Sequence, residues 1–320
     1  MAFSFWLLAF SLVNERKTFL TINYKPIVET SELIKKVRKI EIKTKGLSSQ
    51  VFAGSYHSAF KGRGMSFSEV RNYTYGDDVR NIDWNVTARY NEPFIKVFEE
   101  ERELTVMLLI DVSKSSFFGT QGDFKNEIIT EIAAVLAFSA IQNNDKVGVI
   151  FFSDKVEKYI PPKKGKTHIL RIIRELIEVK PSENGTDIAS ALKFFNNVMK
   201  RSTIAFILSD FIDNPEHYAD GITMAKKKHD LIGLHLFDKR ENEMVDIGLV
   251  NFVDAETGKD VWVNTSNAVT REKYAKHFED RLSGAKNAFL KKGADFMSIE
   301  TTAKYTIALK KMFDRRLKRQ

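Results

Sequence analysis

From Leu104 onward the chain alternates between two kinds of apolar pattern, and that alternation limits the folds open to it more than any other feature. Residues 104–110, 146–152 (KVGVIFF), 202–208 (STIAFIL) and 231–237 (LIGLHLF) are short, nearly unbroken apolar runs. Strands buried on both faces of a parallel sheet have this character. Between them, 123–141, 167–179, 188–199 and 216–228 carry apolar residues at helical spacing, as with Ile169, Ile172, Ile173 and Leu176. Residues 156–160 are placed to pair back on the second run, and 249–253 with 261–263 to form a hairpin around Glu256, Thr257 and Gly258. A long helix over 268–292, a last strand at 295–299 and a final helix complete the pattern. Strands and helices taking turns predict an α/β fold: a doubly wound, mainly parallel, Rossmann-like sheet.

Ahead of residue 104 the character is different. Residues 21–103 are short alternating runs and a dense polar block, which predict an irregular, partly β extension to the main domain at 104–320. No Pro/Gly/Ser-rich linker separates the two; Pro occurs only 6 times. Residues 1–20 form an apolar N-terminal segment, with 3–13 reading FSFWLLAFSLV. A membrane span needs roughly 20 apolar residues, so this run is too short to cross a bilayer. It also lacks the positive start and small-residue cleavage site of a signal peptide. The expectation is a cytoplasmic protein, with contact at the periphery of the inner membrane left open. The absence of Cys excludes disulfides, thiolate zinc sites and Cys nucleophiles. The formal charge of +8 gathers partly in the tail, where Lys304, Lys310, Lys311, Arg315, Arg316, Lys318 and Arg319 face Glu300 and Asp314. A solvated helix face accounts for this better than nucleic acid does.

In doubly wound sheets, ligands bind beyond the carboxyl ends of the strands, where the strand order reverses. The first buried run ends in Asp111-Val112-Ser113-Lys114-Ser115, and 202–208 is followed by Ser209-Asp210. Between them the loop SENGTDIAS brings Thr186 to the start of a helix. Residues two apart on an extended segment point the same way, so Asp111, Ser113 and Ser115 would present their oxygens together. Two carboxylates and three hydroxyls suit Mg²⁺, with Mn²⁺ or Ca²⁺ as alternatives, and are poor zinc ligands. Asp111, Ser113, Ser115, Thr186 and Asp210 resemble, position by position, the metal-ion-dependent adhesion site of von Willebrand factor type A-like domains. The resemblance implies that side chains and waters hold the cation and that its open place takes an Asp or Glu carboxylate from a partner protein.

Residues 54–89 are rich in charged and aromatic residues broken by turn signals. Glu69, Arg71, Asp77, Asp78, Arg80, Asp83 and Arg89 are nearly balanced in sign and predict internal ion pairs, with Tyr73 and Trp84 packed among them. The positions Gly54, His57, Ser58, Gly62, Gly64, Phe67, Arg71, Tyr73, Gly76, Asp77, Asp78, Arg80, Ile82, Asp83, Trp84, Ala88 and Arg89 resemble the bacterial domain of unknown function 58 family. That family carries a von Willebrand factor type A-like domain just after this block, as the pattern here does. The resemblance implies partnership with MoxR-type AAA+ ATPases and with other von Willebrand factor type A-like proteins. For the block itself two roles stay open: a structural ion-pair knot, or an acidic-plus-basic surface that grips a partner.

Other motifs fail. KKGKTHIL would need Gly at position 160 to be a phosphate-binding loop, and Ile160 stands there. The 6 His lack any metal-binding spacing, and His235, inside LIGLHLF, reads as a core residue. No catalytic constellation is visible, so an interaction module is expected rather than an enzyme. A metal-dependent hydrolase or nuclease using the same carboxylates is the alternative. Removing Asp111 or Asp210 is expected to abolish partner capture and spare the fold, because both lie at the rim of the sheet.

Overall fold

The computed structural model describes residues 30–47, 65–100, 104–117, 124–179, 185–253 and 260–318. The N-terminal segment 1–20, the block positions Gly54, His57, Ser58, Gly62 and Gly64, the turn at Glu256, Thr257 and Gly258, and Arg319 lie outside them. In chain order the elements are α1 (Thr30–Leu47), β1 (Met65–Asn72), α2 (Trp84–Tyr90), β2 (Phe94–Glu100), β3 (Thr105–Asp111) and α3 (Lys125–Gln142). There follow β4 (Lys146–Phe152), β5 (Val156–Lys163), α4 (Lys166–Glu178), α5 (Ile188–Val198), β6 (Ile204–Ser209) and α6 (Pro215–Lys228). The chain continues through β7 (Asp230–Phe237), α7 (Lys239–Asn242), β8 (Leu249–Val253), β9 (Asp260–Asn264), α8 (Ala268–Leu290), β10 (Asp295–Glu300) and α9 (Tyr305–Leu317).

Six strands form the central sheet in the order β10-β7-β6-β3-β4-β5. All neighbours are parallel except β5, which runs antiparallel to β4 along one edge. This is the doubly wound, mainly parallel sheet that the alternating pattern predicted. From β3 the chain moves outward to β4 and β5, then returns to lay β6 on the other side of β3. The strand order therefore reverses between β3 and β6.

Period-two alternation divides the residues of β3 between two cores. Val106, Leu108 and Ile110 face one side, with apolar residues of α3, α4 and α9. Met107 and Leu109 face the other, with those of α5, α6 and α8. Helix α3 is buried on nearly all sides from Ile128 to Ala140, so one sheet face cannot cover it alone. Part of its cover comes from α1, whose Val37 and Ile40 pack against the same core and whose Lys43 pairs with Glu131. A second pair, Lys166 with Glu41, ties α1 to the start of α4. Among the described residues no helix is long and apolar enough to cross a membrane.

Strands β1 and β2 make a separate antiparallel hairpin, and β8 and β9 another. In the first, the expected ion pairs are present. Arg71 donates two hydrogen bonds of 2.8 Å to the Asp77 carboxylate, and Arg80 pairs with Asp78. Asp83 caps α2 and pairs with Lys96 at 3.4 Å. Trp84, however, is 70% exposed rather than packed among these groups. Pairs so accessible to water add little stability.

Candidate metal centre at the carboxyl edge of the sheet

Asp111 is the last residue of β3 and Asp210 follows the last residue of β6, so the two carboxylates flank the point where strand order reverses. The Asp111 side chain is buried, and each oxygen is held. Oδ1 accepts from the Ser113 N–H at 2.9 Å, and Oδ2 accepts from Ser209 Oγ at 2.7 Å. The first bond curls the chain back on itself and lets the next turn begin, with Ser116 N donating to Ser113 O. That turn brings Ser113 Oγ and Ser115 Oγ within 2.9 Å of each other, both buried. Thus Asp111, Ser113 and Ser115 do gather on one side of the loop.

Thr186 lies in the loop before α5, which is held beside the end of the neighbouring strand β4. Val112 N donates to Phe152 O at the end of β4, and one residue on, Ser153 O accepts from Asp187 N at 2.7 Å. Asp187 caps α5 by accepting from Ser190 N. The hydroxyl of Thr186, one residue earlier, is buried and has no partner among the described residues. The Oδ1 of Asp210 is in the same condition. After Asp210, Phe211 takes a left-handed backbone (φ 48°), which for a side chain this large costs about 1–3 kcal/mol. Its ring, wedged against Phe289 and Phe296, and its N–H, given to Ser209 Oγ at 3.0 Å, hold that geometry.

Two residues of the site escaped sequence reading. Lys125, at the first position of α3, is 1% exposed, and its ammonium donates to Asp210 Oδ2 at 2.9 Å and to Glu241 Oε1 at 2.7 Å. Glu241 in turn accepts from Asp238 N through Oε2, closing a capping box on α7. The available signal was Lys125's place at the positive end of a helix, where a cation is disfavoured unless something specific holds it. Asp210 and Glu241 outweigh the opposing effect of burial and raise the Lys125 pKa.

Asp111, Asp210 and Glu241 are buried carboxylates; the Lys125 ammonium is bonded to the last two, and Arg281 lines the same pocket as they do. Burial, and then the charge of Asp210, push the Asp111 carboxyl up to about 7 against the bonds from Ser113 and Ser209. Burial likewise raises Glu241. Hard oxygen donors, and two oxygens without a partner among the described residues, suit a divalent cation that retains several waters. Among the described residues no group of three or more His, Asp or Glu side chains gathers as a ligand set, so any cation here would depend on the hydroxyls as much as the carboxylates. His235 plays no part in this donor set. It is a core residue, stacked on Phe237 and bonded to Ser298 Oγ at 3.2 Å.

One expectation from the sequence is corrected here. Asp210 is not a free rim carboxylate whose loss the fold would ignore. Removing it takes one of the two carboxylates from a buried ammonium, and breaking such a pair costs about 3–5 kcal/mol.

Among solved structures, the chain is similar to an aerotolerance-related membrane protein from Bacteroides fragilis, at 14% identity and a TM-score of 0.45. The match covers 68% of this chain and 100% of that one. It is also similar to proximal thread matrix protein 1 from the mussel byssus, in a form with a zinc-occupied adhesion-site motif, at 14% identity and a TM-score of 0.32. That match covers 42% of this chain and 36% of that one. In sequence it is 28% identical over 233 residues to the uncharacterized protein Rv1480 of Mycobacterium tuberculosis, covering 72% of this chain and 73% of the relative. Residues 69–283 match the profile of the family described as "Protein of unknown function DUF58", and the chain belongs to that family.

Proposed function

We propose that the protein is a divalent-cation-dependent protein-interaction module. Asp111, Ser113, Ser115, Thr186 and Asp210 would hold Mg²⁺, with Mn²⁺ or Ca²⁺ as substitutes, directly or through water. A bound cation supplies a Lewis-acidic place for an Asp or Glu carboxylate of a partner protein. The observation that carries this reading is the placement of Asp111 and Asp210 side by side at the reversal of strand order, with Asp210 Oδ1 and the Thr186 hydroxyl without partners among the described residues. The family resemblance directs the search for that partner to a MoxR-type AAA+ ATPase, in the cytoplasm or at the inner face of the membrane.

The first test is calorimetry with MgCl₂ on the protein and on Asp111→Asn, which keeps the side-chain volume and removes the charge. Heat of binding in the parent and at least tenfold weaker binding in the variant are expected, since about 1.4 kcal/mol of charge interaction corresponds to that factor. Equal binding by the two would sink the metal assignment. Co-purification with a MoxR-type ATPase in Mg²⁺, lost in EDTA, is the expected sign of the partner. Chelator-sensitive turnover of a phosphodiester or peptide would instead favour the hydrolytic use of the same carboxylates.

A further inference from the structure

Lys125 is not among the residues that the adhesion-site pattern contains, yet its ammonium occupies one oxygen of a carboxylate that the pattern assigns to the metal. The other oxygen of that carboxylate, Oδ1, has no partner among the described residues. A buried cation at the positive end of a helix has no local reason to be there. Its position is explained by the two carboxylates that it joins.

We propose that Lys125 is a built-in counter-cation that competes with the divalent ion for Asp210 and thereby sets the affinity of the site. The inference rests on the metal reading above. Its physical basis is charge: an ammonium already bonded to Asp210 reduces the attraction that this carboxylate offers to a second cation, and repels that cation directly. Glu241 makes the exchange feasible. When a divalent ion draws on Asp210, the ammonium keeps its 2.7 Å bond to Glu241 Oε1 and is not stranded in the interior. The other oxygen of Glu241 stays fixed by Asp238 N at 2.8 Å, so the second seat is held in place whether or not the first is shared.

The decisive comparison is magnesium affinity, measured by calorimetry with MgCl₂, for the parent, Lys125→Met/Glu241→Gln and Glu241→Gln. The double variant removes one positive and one negative group, so the net charge of the cluster is kept while Asp210 is released. It should bind Mg²⁺ about tenfold more tightly than the parent. Glu241→Gln alone weakens the second seat, leaves the ammonium more firmly on Asp210, and should bind Mg²⁺ more weakly. A folded double variant with unchanged or weaker affinity overturns the proposal and reduces Lys125 to a structural tie. If the double variant does not fold, Glu241→Gln decides: affinity equal to the parent's overturns it. Absence of binding heat in the parent is a different failure, since it removes the metal reading itself and the competition with it.

Discussion

Gly148, in the middle of β4, has no room for even a methyl group. A Cβ there would lie 2.6 Å from Met107 Sδ and 2.9 Å from both Ile160 O and Pro162 N. The sulfur can move, but the two backbone atoms belong to the neighbouring strand β5. Gly148→Ala should therefore push β5 outward and destabilise the protein by about 1–3 kcal/mol, the usual range for overpacking. A urea unfolding midpoint equal to the parent's would show that the edge strand yields without penalty. The same closeness operates at the site, where sequence reading was partly sufficient. Asp111, Ser113 and Ser115 were legible because they share one loop, although a tight turn over Lys114–Phe117, and not extended alternation, brings the two hydroxyls together. Asp210 was legible because it follows a buried run. Lys125 and Glu241 were not, because they are 116 residues apart and each, alone, resembles an ordinary surface charge. Trp84 was misplaced for a related reason: a large aromatic residue suggests burial, and nothing local records which way its helix faces.

At the scale of elements, the positions of strands and helices followed from apolar period, whereas what each helix packs against did not. The sequence run at 104–110 became β3 with a shift of one residue, and the helix expected at 123–141 became α3 with a shift of one or two. The basic tail shows what period alone leaves out. Six of its seven basic residues fit a solvated helix face or lie outside the described residues, but Arg316 is buried and pairs with Asp230 and Asp295. Those two are the first residues of β7 and β10, so the last helix is fastened to the amino edge of the sheet, opposite the candidate metal centre. Arg316→Met should cost about 3 kcal/mol, the lower end for breaking a buried pair, because Asp230 keeps Lys226 at 3.3 Å. Because the site is at the far edge, the folded variant should bind Mg²⁺ as the parent does. A changed affinity would show that the two edges are linked.

For the molecule as a whole, buried titrating groups act in opposite directions as pH falls. His235 is fully enclosed, and burial depresses its pKa to about 3, against about 6.5 in an unfolded chain. The unfolded chain therefore takes up a proton that the folded one refuses. The stability His235 contributes is complete above pH ~6.5 and falls as pH drops from there toward 3. Asp111, raised to about 7, works the other way, so the comparison must be made between variant and parent at each pH. His235→Phe, which keeps an aromatic ring to stack on Phe237 and Phe296, should gain about 2 kcal/mol relative to the parent on going from pH 7.5 to pH 5. A difference between the two proteins that stays constant with pH would mean that the ring takes up its proton in the fold as readily as in the unfolded chain.

The cover that α1 lends to α3 also has a consequence in time. Lys43 and Glu131 are 88 residues apart, so α1 has nothing to settle on until β3, one strand of the central sheet, and much of α3 have been made. At roughly 5–20 residues per second that gap amounts to roughly 4–18 s of synthesis. For that interval α1 is a loose strap, and the apolar back of α3 emerges with its cover already waiting.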